Sequence, residues 1–436
     1  MSDSNVRYVG LDVHKRVVEV CLVSSEGKII RRDRLAMSRS YLETYAREVL
    51  RPTDRAALES TTNTWVVVRI LTPHVAEVVV SNPLATKAIA AAKVKTDKVD
   101  ACVLAQLLRC DYLPRVWQPD ESTLELRRLT SRRAGLVSDA TRLKNRVHSV
   151  LAQRLIQPPC HDLFSVEGRA WLAALELDAE GRLYLDSDLR LLKHVEEELA
   201  LLDQMLAEQG YQEERVKLLM TLPGVSLAVA QTFVAALGNI DRFRSPDEAA
   251  SYLGMVPSTR QSADHCYHGP ITKAGRGHAR WMLIQAAHHL YNQPGPLGVF
   301  FRRVAKKKNY NVAVVAAARK MVVIAWHMLK HNEPYRYAQP KQTEIKLARL
   351  RVKATGRRRS TGPAKGTQRQ AKRTGGSHTI KSLATVYRQE GLPELRSPKE
   401  AERRMLRSHG VAPFADSLAT EHILPGRRDK HQAVKK

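Results

Sequence analysis

Four carboxylates stand where a folded chain could bring them together as metal ligands. Asp12 and Glu59 each end a short apolar run, a pattern typical of buried strands. Asp97 and Asp100 lie three residues apart at the start of a helical pattern, so both can lie on one helix face. Because Mg²⁺ prefers a few carboxylates and leaves room for water and phosphate, these residues predict a site for one or two Mg²⁺ ions.

Each carboxylate also has a purely structural explanation. Asp12 and Glu59 could be ordinary acids at strand ends. Asp97 could cap a helix, and Asp100 could pair with Lys98. We favour the metal site, because a strand-end pair and a helical pair occur in the same short segment of chain.

The chain of 436 residues is strongly basic. It holds 71 Lys and Arg residues against 44 Asp and Glu residues, a net charge of +27, and its pI is near 10.1. Such an excess favours a polyanionic partner, and nucleic acid fits better than a membrane surface. Together with the four carboxylates, the charge predicts metal-assisted cutting or joining of nucleic acid.

Three features of the sequence predict a soluble protein of a reducing cytoplasm. The N-terminus lacks the charged, apolar and small-residue pattern of a signal peptide. The five cysteines are odd in number and contain no CxxC pair, which argues against a disulfide framework or a zinc knuckle. The most apolar run, between Val312 and Met328, is interrupted by Arg319 and Lys320.

The first 118 residues have an α/β pattern. Apolar, β-branched segments alternate with helical ones, and a ribonuclease-H/RuvC-like sheet suits this order because it brings distant strand ends to one edge. The expected strands lie near 6–13, 17–24, 55–58 and 75–80, and the expected helices near 40–50, 64–71 and 97–110.

Residues 119–212 carry two heptad patterns on long helices. These seams pack either as a hairpin within one chain or between two subunits, and we favour dimerisation. The seam residues are Leu129, Leu136, Leu143 and Val150, then Leu192, Val195, Leu199, Leu202 and Leu206.

Residues 213–335 are expected to form a mostly helical domain. The segment from Leu222 to Ser226, followed by a helical pattern over 227–237, resembles half of a helix-hairpin-helix. In that motif the backbone at Gly224 would bind a nucleic-acid phosphate. A simple packing corner between two helices explains the same residues.

Residues 336–436 are expected to be a basic, largely disordered tail that binds nucleic acid. The segment from Arg357 to Arg373 has seven basic residues and no acid, so we expect it to be disordered unless it follows a phosphate backbone. A short helix near 397–408 interrupts this tail. Its predicted phosphate contacts are Arg357, Arg358 and Arg359.

A second group of polar residues precedes a helix that is expected near 277–291. Ser262 is a candidate nucleophile, and Lys273, Arg276 and Arg280 are candidate phosphate contacts around glycine turns. Ser and Gly occur in any loop, so the composition alone is weak. Histidines and a cysteine at 265–268 are interpreted as polar loop residues, since further spaced ligands are missing.

A set of short motifs lies along roughly residues 6–335. They are Gly10-Leu11-Asp12-Val13-His14-Lys15, Leu58-Glu59-Ser60, Lys95-Thr96-Asp97-Lys98-Val99-Asp100-Ala101, Leu222-Pro223-Gly224-Val225, Tyr252-Leu253-Gly254-Met255-Val256-Pro257, Gly269-Pro270-Ile271-Thr272-Lys273-Ala274-Gly275 and Ala318-Arg319-Lys320.

As a set, these motifs resemble the DEDD transposases of bacterial insertion sequences, which are related to the pilin-gene invertases and known as bridge-RNA-guided recombinases. The resemblance implies a RuvC-like metal-binding domain with the four acids, a coiled-coil region and a transposase domain with a catalytic serine. Ser262 holds the serine position, although Ala263 follows it where the family typically has glycine, and Ser258 is the nearest rival. Lys95 and Lys98 are expected to contact nucleic acid.

The resemblance implies a bacterial, nucleoid-associated recombinase that cuts and rejoins DNA through a phosphoserine ester and Mg²⁺. Its expected partners are element-end and target DNA, a guide RNA encoded by the element, and further copies of itself, as a dimer that pairs into a tetramer on DNA. The alternative is a hydrolytic junction nuclease that uses the same acids and a metal-bound water, with no covalent protein–DNA adduct.

Overall fold

The protein is described here from a computed structural model, which covers residues 6–89, 96–262, 265–357 and 378–424. The chain divides into an N-terminal unit, Met1–Pro119, and a C-terminal unit, Asp120–Lys436. The predicted phosphate contacts Lys95, Arg358 and Arg359 lie outside the described residues.

The N-terminal unit contains a five-stranded mixed sheet. Its strand order is β3-β2-β1-β4-β5, with the first three strands antiparallel and the last two parallel to β1. The strands are β1 (Tyr8–Val13), β2 (Val17–Val23), β3 (Ile29–Ala36), β4 (Arg55–Glu59) and β5 (Glu77–Ser81), and the helices are α1 (Arg39–Glu48), α2 (Thr64–Leu71), α3 (Pro83–Ile89) and α4 (Asp97–Arg109).

Strand β3 was not predicted from the sequence. It carries Arg31, Arg32, Asp33 and Arg34, and most of its side chains are exposed. An edge strand has only one paired neighbour and faces solvent, so charge does not prevent its formation. The other strands and helices α1, α2 and α4 confirm the predicted elements, and their apolar residues are buried in two core clusters, with α4 in the second.

Gly10 in the middle of β1 allows helix α4 to pack directly on the sheet. A β-carbon at this position would overlap the carbonyl oxygen of Ala101 and lie 2.7 Å from the backbone nitrogen of Ala105. Both contacts are with the backbone of α4, which cannot move as a flexible side chain can. The glycine therefore brings the first turn of α4 close to the end of β1.

Two long helices, α5 (Glu121–Ala152) and α7 (Ala179–Gln212), pack against each other within the chain. Asp120 and Asp178 cap them, each accepting a hydrogen bond from a backbone N–H of the first turn. Leu136 contacts Leu202 and Leu206 in one buried cluster. The two heptad seams thus meet in one chain, as the hairpin interpretation expects. A short helix, α6 (Val166–Ala174), lies between them in the sequence.

The rest of the C-terminal unit is mainly helical. Helix α13 (Tyr310–His331) is long and apolar enough to cross a membrane by length and composition, but half of its most apolar window is buried within the fold. Two small strands pair as a hairpin that the sequence did not predict. The elements are α8 (Glu214–Met220), α9 (Leu227–Leu237), α10 (Pro246–Tyr252), β6 (Pro257–Ser262), β7 (His265–Ile271), α11 (Gly277–His288), α12 (Pro296–Lys307) and α13 (Tyr310–His331).

The expected disordered tail is wrong for residues 336–357 and 378–424. Leu347, Leu383 and Tyr387 are buried in the same core as the helical domain. Sparse apolar residues in a basic sequence are enough to dock these helices. They are α14 (Pro340–Thr355), α15 (Leu383–Gln389), α16 (Glu400–Ser408), which confirms the helix expected near 397–408, and α17 (Ala412–Ser417), with strands β8 (His378–Ile380) and β9 (His422–Leu424).

Helix α14 holds the turn after Leu222 through one lysine. The Nζ atom of Lys346 donates hydrogen bonds to the carbonyl oxygens of Leu222 (2.8 Å) and Val225 (3.2 Å). Burial of the amino group lowers the pKa of Lys346 to about 8. The folded protein therefore releases this proton at a lower pH than the unfolded chain does.

We expect Lys346 to make the free energy of unfolding rise with pH. The rise should fall between its pKa in the folded protein, about 8, and its ordinary pKa of 10.5. In this window the unfolded chain keeps a proton that the folded chain has lost, so raising the pH favours the folded state by about 3 kcal/mol in total. Denaturant unfolding of the wild type and Lys346→Met at several pH values tests this. The stability difference should grow in favour of the wild type.

The matched control is Lys341→Met, which removes an exposed lysine from the same helix. The stability difference of Lys346→Met should grow more with pH than that of Lys341→Met. Cysteine and tyrosine titrations are common to all three proteins and cancel in the differences. A constant difference for Lys346→Met across the window would contradict the prediction.

Candidate active site

In the N-terminal unit, the structure brings together two of the predicted acids, Asp12 and Asp97, and the neighbouring His14. Ligand atoms of Asp12, His14 and Asp97 all lie within 4.8 Å of one another. Among the described residues this is the one such group of three or more acidic, His or Cys side chains. Asp12 stands near the end of β1 and Asp97 begins α4, so the packing at Gly10 positions both.

Glu59 and Asp100 lie on the elements that flank this group. Strand β4 runs parallel to β1 with Leu58 opposite Leu11, so Glu59 ends β4 beside Asp12. Asp100 is one helical turn after Asp97 and acts electrostatically on Asp12. Thr96, rather than Asp97, caps α4 by accepting a hydrogen bond from the backbone N–H of Val99.

The electrostatics of the group fit a bound divalent cation. Burial raises the pKa of Asp12, the hydrogen bond from His14 lowers it, and the charges of Asp100 and Asp97 raise it again. Clustered carboxylates with one partly buried member repel each other unless a positive charge lies between them. Carboxylate oxygens are also the ligands that Mg²⁺ prefers.

Sequence reasoning did not predict a role for His14 at this site. Its Nε2 atom lies 3.0 Å from Asp12 Oδ2 and 3.5 Å from Asp97 Oδ1. The hydrogen bond with Asp12 raises the pKa of the imidazole. The sequence could have indicated this role, because His14 is two residues after Asp12, and residues two apart point to the same side of an extended chain.

Ser262 lies in the C-terminal unit, at the tip of the hairpin formed by β6 and β7. It is the last residue of β6 and pairs with His265 across the turn. Its side chain is exposed, while residues 263 and 264, which include the alanine after it, lie outside the described residues. An exposed hairpin tip gives a macromolecular phosphate free access to a hydroxyl.

The rival Ser258 has a structural role at the base of the same hairpin. Its hydroxyl donates a hydrogen bond to the carbonyl oxygen of Pro270, 3.1 Å away. A β-carbon at Gly269 would lie 2.5 Å from this hydroxyl oxygen. Ser258 therefore ties the two strands together, which favours Ser262 as the more available hydroxyl.

The predicted phosphate contacts near the hairpin have different surroundings. Lys273 is exposed, with a positive φ of 56°, and Arg276 is half-buried just before α11. The Nη1 atom of Arg280 donates to the carbonyl oxygens of Leu253 and Ala274, both at 3.0 Å. Arg280 thus clamps two turns together, a structural role that the sequence did not predict.

Gly224 also has a packing reason for its identity. It has a positive φ of 76°, and a β-carbon there would overlap the carbonyl oxygen of Ala286 on α11. The close approach of this turn to α11 therefore requires glycine, as the packing-corner interpretation expects. Lys98 on α4 and Arg357 after α14 are both exposed.

An aromatic pair on α11 was not predicted from the sequence. Trp281 is 53% exposed and stacks on His278, with ring centroids 6.4 Å apart and 20° between the planes. Helical periodicity places both opposite the buried Ala279 and Leu283. Exposed aromatic rings beside cationic side chains are typical of surfaces on which nucleic-acid bases stack.

Two protein-family models match the chain. One, named for the DEDD transposases of IS110, is described as a transposase model and matches residues 9–156. The other is described as the transposase IS116/IS110/IS902 family and matches residues 216–297. Together the two matches cover just over half of the chain and include the acidic group and the Ser262 hairpin.

Curated relatives agree with these matches. The protein y4qE of Sinorhizobium fredii, named as a transposase, is 29% identical over 54% of this chain, and the match spans 55% of the relative. The transposase for insertion sequence element IS1111A of Coxiella burnetii is 23% identical over 77% of this chain and 93% of the relative.

The pilin gene-inverting protein of Moraxella bovis is 23% identical over 75% of this chain and 97% of its own length. Transposition and gene inversion both rearrange DNA segments. The chain therefore belongs to the IS110/IS116 family of transposases, enzymes that recombine DNA.

Proposed function

We propose that the protein moves an insertion sequence by cutting and rejoining DNA with a serine nucleophile and a divalent metal, Mg²⁺, at the DEDD acids. The observation that carries the proposal is the convergence of Asp12, His14 and Asp97 within 4.8 Å. The strand order of the N-terminal sheet supports its interpretation as a ribonuclease-H/RuvC-like domain, since β1, β4 and α4 place acids at one edge.

Asp12, Glu59, Asp97 and Asp100 are the residues that would hold one or two metal ions. A bound divalent cation supplies positive charge that polarises a phosphate and stabilises a leaving oxygen. The side chain of Asp12 is 15% exposed against 54% for Asp97, and His14 fixes the orientation of Asp12 through the 3.0 Å hydrogen bond. The exposed Lys98 on α4 would attract the DNA backbone to this edge.

The proposed chemical step conserves the energy of the cut bond. The Ser262 Oγ atom forms a bond to phosphorus while the bond from phosphorus to the bridging strand oxygen breaks. The proton lost by the serine is balanced by the proton that the released strand end takes up. Attack by the hydroxyl of an incoming strand then reverses the process and frees the serine.

We propose that further copies of the chain assemble on DNA, as a dimer that pairs into a tetramer. The seam residues of α5 and α7 are packed against each other within the chain, so the contact between copies would use other residues. One face of α7 supports it, because Leu191, Leu201 and Met205 are between 48% and 65% exposed. Apolar helix faces of this kind are typical of interfaces between copies.

We also propose that an RNA encoded by the element selects the target. The net charge of +27 suits two polyanions bound together, and Trp281 offers a stacking surface for unpaired bases. Base pairing would then supply the sequence specificity, as in other RNA-guided systems.

Trapping of the covalent intermediate tests the proposal. Purified protein is incubated with Mg²⁺, labelled element-end DNA and RNA transcribed from the element's flanks, then separated on a denaturing gel. We expect labelled DNA at the size of the protein, and at least about a hundredfold less of it in Ser262→Ala, since no other hydroxyl replaces the nucleophile.

Ser258→Ala is the matched control, because it removes a hydroxyl from the same hairpin. It should retain the adduct, with a moderate loss from the broken hydrogen bond to Pro270. Cut DNA without an adduct, unchanged by Ser262→Ala, would instead establish hydrolysis by water at the acidic site. An adduct lost only in Ser258→Ala would reassign the nucleophile.

A further inference from the structure

A large cavity lies in the C-terminal unit, away from the Ser262 hairpin in sequence. Its volume is about 790 Å³, within the usual range of ligand sites. Helices α12, α13 and α16 contribute to its walls, with the segment 333–337 between them. Nearly all of the lining follows residue 297, where the second family match ends.

The walls of the cavity combine apolar and aromatic side chains. They offer flat surfaces against which a ring system can pack. The principal apolar residues are Leu297, Phe300, Ile324, Met328, Tyr335 and Leu406.

Both carboxylates that line the cavity are already neutralised. Glu402 accepts hydrogen bonds from Arg336 and from the hydroxyl of Tyr337, each 2.6 Å long. Glu333 pairs with Arg336 at 3.1 Å and with Arg396 at 2.9 Å. A ligand therefore meets no unpaired negative charge from these two residues.

Cationic side chains outnumber the acids in the lining, with five Arg and Lys residues against two Glu residues. Arg303 donates from Nη1 to Nε2 of His409, 2.9 Å away. The Nδ1 atom of His409 lies 2.9 Å from the carbonyl oxygen of Met405 and donates to it, which leaves Nε2 as the acceptor for Arg303. The charge of Arg303 is thus not offset at this contact.

Other cations extend the positive side of the cavity. Lys320 and Lys399 are exposed, and no ion pair involves either among the described residues. His327 and His331 stack on α13 with ring centroids 6.0 Å apart and 13° between the planes. Burial, His331 and Lys320 lower the pKa of His327, so its ring is neutral at pH 7 and presents a flat surface.

We infer that this cavity binds an unpaired nucleotide of a single-stranded nucleic acid, with the base against the apolar wall and its phosphates on Arg303, Lys320 and Lys399. The inference rests on the proposed function, which supplies strands with unpaired bases. Aromatic surface for stacking, combined with cations for phosphate, is the chemistry that recognises such a nucleotide. Duplex DNA cannot enter, because its bases are stacked and paired.

Photocrosslinking on the full-length protein tests the inference. An eight-nucleotide strand with one 5-bromouridine, made as DNA and as RNA, is irradiated with the protein, and the crosslinked peptides are sequenced. We expect crosslinks in the peptides that hold Phe300, Tyr337 or Met405. Arg303→Glu should reduce their yield about tenfold, through loss of a phosphate contact and introduction of a repelling charge.

Arg404→Glu is the matched control, since it makes the same charge change on α16 outside the cavity lining. It should leave the cavity crosslinks within about twofold of the wild type, as expected for one exposed charge. Equal losses in both variants, or crosslinks confined to other regions, would overturn the inference. So would equal competition by free AMP, which would assign the cavity to a free nucleotide.

The crosslinking needs no strand cleavage, so its result is separable from the proposed chemistry. Absence of the Ser262 adduct with cavity crosslinks present would count against the serine mechanism alone. The adduct present without cavity crosslinks would count against the cavity alone. Protection of the cavity by the chain's own residues 425–436, detected by chemical crosslinking, would also overturn it.

Discussion

Replacement of Asp12 by asparagine is expected to abolish DNA cleavage while the N-terminal sheet still folds. Asparagine has the same shape and can still accept the hydrogen bond from His14, but it lacks the negative charge that would hold the proposed cation. The cleavage rate should fall by on the order of 10³-fold, the size typical of losing a group that stabilises charge in the transition state. Single-turnover cleavage measures this.

Metal binding gives a second readout that does not depend on cleavage. Titration with Mn²⁺, followed by calorimetry, should show affinity about 10–100-fold weaker in Asp12→Asn than in the wild type. Glu26→Gln is the control, because it removes an exposed carboxylate from the same unit. Wild-type cleavage and Mn²⁺ affinity in Asp12→Asn would rule out the metal site.

Gly10→Ala is expected to destabilise the N-terminal unit and damage the acidic group together. The added β-carbon would overlap the backbone of Ala101, so α4 must move away from β1. Overpacking of this kind costs about 3 kcal/mol where the neighbour is backbone. Because Asp97 and Asp100 travel with α4, Mn²⁺ affinity should fall in the fraction that remains folded.

Gly135→Ala is the control, and it is expected to change the stability in the opposite direction. Its added β-carbon meets nothing within 4 Å, and the residue lies inside helix α5. Alanine there should stabilise the C-terminal unit by about 0.5–1 kcal/mol, since it restricts the unfolded chain. Denaturant unfolding of both variants compares them, and a Gly10→Ala protein as stable as the wild type would refute the close packing of α4 on β1.

The regular elements of the N-terminal unit were predictable because burial imposes a pattern on their residues. Strands β1, β2, β4 and β5 have apolar runs, and α4 has helical periodicity. Strand β3 and the β6–β7 hairpin are mostly exposed, so nothing forces their side chains to alternate. These strands are defined by their backbone hydrogen bonds, which a single sequence does not reveal.

The C-terminal helices show a different limit of sequence reasoning. Residues such as Leu347 and Val386 are far apart in a basic background, and average composition hides them. The buried contacts that order this region join segments distant in sequence, for example Tyr387 to the carbonyl of Tyr335. Local charge therefore predicted disorder where long-range packing prevails.

The approach of Asp12 and Asp97 was predictable from residue type and spacing, but the details of their surroundings were not. The spacing of Asp97 and Asp100 indicated a shared helix face, and the structure places Asp97 beside Asp12. The role of His14 depends on the fold of β1 against α4, and the clamp formed by Arg280 depends on two turns meeting. Such contacts follow from the tertiary structure rather than from any local pattern.

The contact between β1 and α4 has a consequence for protein synthesis. Residue 12 leaves the ribosome long before residues 97–109, and a strand without its helix has no complete set of acids. Domains fold as units once their last element emerges. A nascent or truncated chain that lacks α4 therefore cannot form the group of Asp12, His14 and Asp97, so any activity that depends on this group would begin only after α4 is made.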